Sequence, residues 1–313
     1  MNLEQLRSFD AVARIGHFTR AAEQLHLAQP SLSRQIATLE HDLGAELFHR
    51  VRGHITLTAA GERLLPLARR MLADAELARL EMAELADLRR GAVRLGATPT
   101  LCISLVPEVL AAFRQKFPGI ELRITERGSN GLAEELEEGA LDLALMTATE
   151  SIAPSAMSLN RLPLLNEQLV VIGAVSDTNL SSRQIISLEE LATFPQIAFH
   201  RSYDLRQATD AAFRAAHLAP WNAVEGAEMD AVLRFVERGI GVAVVPAMVL
   251  LDRPKLHSLR LSQPQLSRTI SLAHRPDFRL SRAALAMQQL IVSTIEQITS
   301  VGAPLAELLS KAD

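Results

Sequence analysis

At 313 residues, 48% hydrophobic and 22% charged, the chain is long enough for two or three domains of roughly 100–200 residues, each with a sizeable core. No apolar run reaches the roughly 18 residues of a membrane span, the first residues carry no basic-then-apolar leader, and a lone Cys102 excludes an internal disulfide, which together point to the cytosol. A net charge of −4 excludes capture of nucleic acid by bulk charge: residues 1–58 set six arginines against six acids, and only Lys116, Lys255 and Lys311 among the 32 basic residues are lysine.

The first predicted helix covers residues 3–13, with Leu3, Leu6, Phe9 and Ala13 on one face, and Gly16 ends it. A short second helix, "TRAAEQL" (19–25), has Thr19 as its N-cap. The link "HLAQ" leads to a third helix that opens at Pro30 and closes at Gly44. Leu32, Ile36, Leu39 and Leu43 step by 4, 3 and 4, which predicts one buried stripe and leaves Ser31, Arg34, Gln35 and Thr38 facing outward. "LFHRVRGHITLT" (47–58) alternates on either side of "RG", the pattern of a small hairpin tipped by Arg50, Arg52 and Gly53.

Residues 59–88 read as one long helix containing Pro66, a potential kink. Leu64, Ala68, Met71, Ala75, Ala78, Met82 and Leu85 repeat at 4 and 3, an unbroken heptad seam. No matching long helix precedes it, so the expected partner is a second copy of the chain. From residue 91 short apolar strands alternate with helices: strands at 93–97, 120–125 and 142–146, then a second set at 168–174, 196–199 and 242–246, a strand at 269–274 and a last helix at roughly 281–299. This βαβ rhythm predicts mainly parallel sheet in two α/β units, with a ligand cleft between them.

The motifs exclude as much as they suggest. His17, His26, His41, His49 and His54 lack the spacing of a zinc site, so no metal is expected. "RGIGVAVV" carries Val244 where a dinucleotide fingerprint needs its third glycine, and it precedes a strand. With no G-x-S-x-G elbow or phosphate-binding loop, neither catalysis nor a cofactor is assigned. Cys102 lies near a helix start, which lowers a thiol pKa, against burial, which makes it inert.

"FTRAAEQLHLAQPSLSRQIATLEHDLGAELFHR" (18–50), "LTAAGERLLPLARRML" (57–72) and "RGIGVAVVP" (238–246) resemble the LysR-type transcriptional regulators over nearly the whole chain. The resemblance implies an N-terminal all-α winged helix-turn-helix (1–58) and a long linker, or dimerisation, helix (59–90). A two-lobed α/β effector domain like the periplasmic binding proteins (91–313) follows, with lobe I at about 91–161 and 268–300 and lobe II at about 162–267. It further implies a homodimer or homotetramer on double-stranded promoter DNA, contact with RNA polymerase, and a small-molecule effector in the cleft. An α/β enzyme or a solute-binding protein acting on an anionic metabolite is the alternative. The enzyme would need a base such as His200 near Thr147 or Ser202.

In a helix-turn-helix the second helix presents its N-terminal residues to base edges. Arg34 suits guanine, Gln29 or Gln35 adenine, Pro30 a thymine methyl, and Ser31, Ser33 and Thr38 phosphates or either base. The resemblance places Gln29, Pro30, Ser31, Ser33 and Arg34 near DNA and matches Arg50 and Arg52 to a wing. The competing role is a solvated helix face, and for Ser33 a local cap. For the effector, Thr98 and Thr100, then Ser129 and Asn130, sit at helix starts that favour an anion, with N-capping as the alternative. Thr147 ends a strand toward the cleft. His200 stands where relatives carry a hydroxyl residue, and with Arg201 it suits an anionic effector. Arg201 could instead form a surface ion pair, and Glu228 could cap the helix after it. The family's peroxide sensors pair two cysteines, and this chain has one.

Overall fold

The structure, a computed structural model, describes residues 1–313 apart from 52–53, 87–90, 148–158, 202, 252, 277–278, 301, 304 and 313; at 50–51, 54, 80–81, 83–86 and 181 it describes the backbone alone. Helix α1 (Leu3–Ile15) opens on a reciprocal cap. The Asn2 side chain accepts from the Gln5 amide at 2.9 Å and Gln5 Oε1 accepts from the Asn2 amide at 2.7 Å. Helix α2 (Phe18–Gln24) starts one residue before Thr19, so His17, and not Thr19, is its N-cap. Helix α3 (Gln29–Leu43) ends on left-handed Gly44. Leu32, Ile36 and Leu39 are fully buried against Leu6, Phe9 and Val12. Leu43 is 41% exposed and stays outside this cluster, so the buried stripe is one turn shorter than its spacing predicts.

Strands β1 (Phe48–Val51) and β2 (His54–Leu57) form the antiparallel hairpin. Phe48 locks it to the helices, its ring 5.3 Å from Phe9 and edge-on to Phe18 at 6.0 Å. Thr58 accepts from the Gly61 amide at 3.1 Å at the start of helix α4 (Ala59–Ala86). A Cβ at Gly61 would lie 2.2 Å from the Leu47 carbonyl oxygen, so only glycine lets α4 cross the hairpin here.

The predicted seam on α4 divides. Ala68 is fully buried, and Leu64 and Met71 pack beside it on the core of residues 1–58, because α1 covers this face. These three positions therefore pack on the chain's own N-terminal core, Leu64 and Met71 remaining half-buried. Ala75 is half-buried, Ala78 is exposed and Met82 is 62% exposed. The Leu85 side chain lies outside the described residues.

Strand β3 (Gly91–Ala97), short helix α5 (Pro99–Cys102), helix α6 (Leu105–Lys116), strand β4 (Ile120–Glu126), helix α7 (Ser129–Glu137) and strand β5 (Leu143–Thr147) follow the βαβ expectation, with β3 parallel to both β4 and β5. Strand β6 (Asn160–Ala174) is twice the length its apolar run suggests. After it come α8 (Thr178–Ser181), β7 (Ile185–Ile186), α9 (Leu188–Ala192), β8 (Gln196–Phe199), α10 (Asp204–Ala215), β9 (Asn222–Ala227), α11 (Met229–Glu237), β10 (Ala243–Pro246), β11 (Leu256–Leu261), β12 (Ser267–His274), α12 (Arg282–Ile298) and β13 (Leu309–Lys311).

The sheet is mixed rather than mainly parallel, because β6 runs through both α/β units and its neighbours β10, β11, β12 and β13 are all antiparallel to it. From Asn160 to Gln168 β6 pairs with β12, and from Leu169 onward with β10 and β11. The change of partner falls some seven residues after the expected boundary at 161/162. At ~3.3 Å per residue β6 spans ~50 Å, enough to join both units. Strands β8 and β9 pair parallel in the second unit.

Candidate nucleic-acid interface and ligand cleft

On α3 the buried stripe turns the opposite face to solvent. Gln29, Pro30, Ser31, Arg34 and Thr38 are exposed. Ser33 is half-buried and accepts from Gln29 Nε2 at 3.0 Å, which orders the first turn. Thr38 donates to the Arg34 carbonyl at 2.9 Å. Gln35 departs from the expectation: its Oε1 accepts from the Ser8 hydroxyl of α1, so it holds two helices together instead of pointing outward. The Arg50 side chain and Arg52 lie outside the described residues.

Of the six acids that cancel the arginines of this unit, Glu40 and Asp42 have structural roles at the far end of α3. Glu40 accepts from the Leu47 amide at 2.9 Å. Asp42 pairs with the N-terminal ammonium at 2.6 Å, and that hydrogen bond and charge hold its carboxyl below the usual range. Neutral overall charge thus coexists with an acid-free exposed first half of α3.

Arg69 of α4 joins both halves of the chain. Its Nε donates to Asp10 of α1 at 2.8 Å, and its Nη1 donates to both oxygens of Glu138, just after α7, at 2.9 and 3.0 Å. Burial pulls the Arg69 pKa down, but hydrogen bonds and charge from Asp10 and Glu138 outweigh it and leave the value raised. Asp74 adds a second tie, 2.8 Å from Arg275. Gly139 has φ +73°, and a Cβ there would meet Ala73 of α4 at 2.7 Å.

A cavity of about 100 Å³ lies between the two α/β units. Thr98, Pro99, Thr100, Gly128 and Thr147 line it from the first unit, Tyr203, Asp204 and Leu205 from the second, and Arg268 of β12 lies where the units meet. Thr98, Thr100 and Thr147 stand there because β3 and β5 end side by side, and each strand end hands the chain to a loop facing the second unit. Ser129 Oγ accepts from the Thr147 amide at 3.3 Å, and the two hydroxyl oxygens lie 3.2 Å apart. Both reach across to Asp204 Oδ2, Thr147 at 3.1 Å and Ser129 at 3.4 Å.

Arg268 donates through Nη1 to Thr100 Oγ1 at 2.7 Å and through Nε to Glu167 Oε2 at 2.9 Å. Glu167 of β6 is fully buried, and its Oε1 accepts from the Met248 amide at 2.6 Å. Tyr203 donates to Glu228 and stacks on Phe199, centroids 5.6 Å apart. Burial, then the Glu228 hydrogen bond, raises the Tyr203 pKa. Burial, aided by Glu126, pushes the Cys102 thiol up to about 12, which opposes thiolate chemistry, and Cys102 is the last residue of α5 rather than a helix start.

Of the predicted residues, Ser129 is not itself in the lining but is bonded to Thr147, which is, and three more lie elsewhere. Asn130 is exposed and outside the cavity lining. Arg201 is 80% exposed and pairs with Glu225 on β9 at 3.3 Å, and His200 is exposed beside it. The cause is local: α10 starts at Asp204, so the loop after β8 delivers Tyr203 and Asp204 to the cleft and leaves residues 200–201 outside. Asp204 carries a sequence signal, an acid at a helix start; Arg268 and Glu167 carry none, since each is placed by pairing across more than 100 residues.

Comparison with known proteins agrees along the chain. The family model of the bacterial regulatory helix-turn-helix protein, lysR family, matches residues 3–62, and that of the LysR substrate binding domain matches residues 86–295. The chain is 33% identical over 293 residues to an uncharacterized HTH-type transcriptional regulator, YybE, of Bacillus subtilis, covering 94% of this chain and 99% of that one. It is 33% identical over 275 residues to a probable nitrogen assimilation transcriptional activator of Synechococcus elongatus, covering 87% and 88%. A full-length cysteine-to-aspartate variant of OxyR from Pseudomonas aeruginosa shares the fold, with a TM-score of 0.70 at 23% identity over 100% of this chain and 99% of that chain.

Proposed function

The chain belongs to the LysR family of transcriptional regulators, and on that premise we propose that it binds promoter DNA through the first half of α3 and is switched by a small molecule in the cleft. It is a DNA-binding regulator with a ligand-binding domain, not an enzyme. The observation that carries the DNA reading is the division of α3: Leu32, Ile36 and Leu39 fully buried, and Gln29, Pro30, Ser31 and Arg34 on the open side. In this reading Arg34 reads a base edge, Gln29 and Ser33 act as one bonded pair, and Ser31 and Thr38 take phosphates. Arg50 and Arg52 serve the wing. Gln35 has a positioning role through Ser8.

The division of labour follows: residues 1–58 bind DNA, 59–90 link and dimerise, and 91–313 bind effector. Self-association uses the open half of α4 at Ala75, Ala78 and Met82, and the assembled oligomer engages RNA polymerase at the promoter, in the cytosol. The effector's anionic group is held by the Thr98 and Thr100 hydroxyls, backed by Arg268. Thr100 accepts from Arg268, so its own proton is free to be donated into the cavity. Ser129 and Thr147 act through Asp204.

The test is selection of genomic fragments by the full-length protein, followed by footprinting with and without metabolite pools. The expected result is one or a few promoter sites whose footprint changes with a small-molecule fraction. Uniform, sequence-independent retention would overturn the DNA reading, and a footprint indifferent to every fraction would overturn the effector reading.

A further inference from the structure

We infer that the effector is a small zwitterion, an amino-carboxylic acid whose carboxylate lies at Thr98 and Thr100 and whose ammonium lies at Asp204. This rests on the cleft being the effector site, and it goes beyond an anionic effector by assigning the opposite end.

The charges around the cavity carry the argument. Among the described residues Arg268 is the one cation on its lining, and it is not free: Glu167, fully buried, takes its Nε, so the pair is close to neutral seen from the cavity. Asp204 is the remaining charged side chain there. Among the described residues it has no cationic partner; its bonds come from two neutral hydroxyls, Ser129 and Thr147. A simple anion would therefore enter a cleft with one uncompensated negative charge, on a half-buried Asp204 that water screens only in part.

The two oxygens of Asp204 are used unequally. Both hydroxyl bonds arrive at Oδ2, and Oδ1 has no partner among the described residues. A ligand ammonium can bond to Oδ1 while the cross-cleft bonds at Oδ2 stay in place, so ligand and closure reinforce each other. A ligand carboxylate in the same position would face Oδ1 directly. On the first unit's side, Thr100 is already accepting from Arg268 at 2.7 Å and has its proton to donate, and Thr98 Oγ1 is 3.5 Å from it. The cavity thus offers hydroxyl donors from the first unit and an acceptor carboxylate from the second.

The experiment is thermal-shift screening of the full-length protein with the twenty amino acids, β-alanine and 4-aminobutyrate. Each is run beside the acid that lacks the amino group and the amide that lacks the carboxylate, and calorimetry gives Kd for the hits. At least one amino acid is expected to raise Tm while its deaminated acid does not. Asp204→Asn, which keeps shape and loses charge, is expected to weaken that hit roughly 10- to 100-fold; Asp204→Ser serves if the asparagine variant does not fold. Equal binding of the deaminated acid, unchanged affinity in both variants, or silence from every amino acid overturns the zwitterion. The parent reading fails separately. If an acid or polyol binds and changes the operator footprint, the cleft remains the effector site and only the zwitterion falls. If metabolite pools leave the footprint unchanged, the effector reading falls as well.

Discussion

Glu167→Ala is the most demanding test of how the cleft is held. Glu167 is 0% exposed, and it accepts from the Met248 amide on one side and Arg268 on the other. Arg268 Nη2 also lies 2.8 Å from Oε2, at an angle that does not make it a hydrogen bond. Removing the carboxylate leaves a guanidinium that is 12% exposed without its counter-charge, which costs about 3–5 kcal/mol in buried pairs. It also orphans the Met248 amide, worth about 1–3 kcal/mol. The two overlap, since Arg268 can lean further onto Thr100 and toward the cavity, and we expect about 4 kcal/mol in all. Against a typical total of about 5–15 kcal/mol the variant folds but is weakened. Urea unfolding of the full-length protein at fixed concentration measures this, followed by far-UV circular dichroism and by the fluorescence of Trp221, the chain's only tryptophan. The paired variant Glu167→Leu, Arg268→Met removes both charges and is expected to lie closer to wild type than Glu167→Ala. A loss below about 1 kcal/mol for Glu167→Ala, or a paired variant as damaged as the single one, would refute this account of the junction.

Arg69→Ala and Glu138→Gln are expected to be non-additive by about 0.5–1 kcal/mol in a double-mutant cycle, a modest value because the Arg69 side chain is about one-third exposed; strict additivity would show that the joint carries no coupling. Cys102, pushed up to about 12 from 9.0, should alkylate at pH 8 roughly a thousand-fold more slowly than in unfolded protein. The sign follows from the raised value: the thiol stays protonated below it, so native-state reaction accelerates only as pH climbs toward 12. Rapid native labelling at pH 8 contradicts this. Ala78→Asp with Met82→Asp should lower the sedimentation-derived assembly state, because both side chains are open in the single chain; an unchanged oligomer would move the interface off α4.

The α3 face was legible because a 4-3-4 spacing of branched apolar residues has one helical solution, and Leu32, Ile36 and Leu39 follow it. Its limits were tertiary. Nothing in the spacing shows that Leu43 overhangs the core or that Ser8 turns Gln35 inward. The seam of α4 rests on periodicity alone, which registers an apolar face without saying what covers it; Leu64, Ala68 and Met71 pack in the core that α1 helps to form. Strand β6 looked half its length because Asn166, Glu167 and Gln168 break its apolar run. Those polar residues pair with β12 and β13, and Glu167 is buried only because Arg268 and Met248 meet it. Strand β9, "NAVEGA", has no fully buried residue and lacks an apolar signature. In the cleft, hydroxyls at strand ends were legible at Thr98, Thr100 and Thr147. The sequence places the cleft-facing part of the loop after β8 three residues too early, at His200 and Arg201 in place of Tyr203 and Asp204.

The central claim, that the open face of α3 reads DNA, is tested most directly by operator affinity of Arg34→Ala against wild type across a salt series. Arg34 is exposed on the side away from Leu32 and Ile36, so the variant's fold and assembly should be unchanged by circular dichroism and sedimentation. The account predicts a loss of about 1–3 kcal/mol per half-site on the selected operator, with affinity for unrelated DNA nearly unchanged. Equal operator affinity and an identical footprint for the two proteins would contradict it.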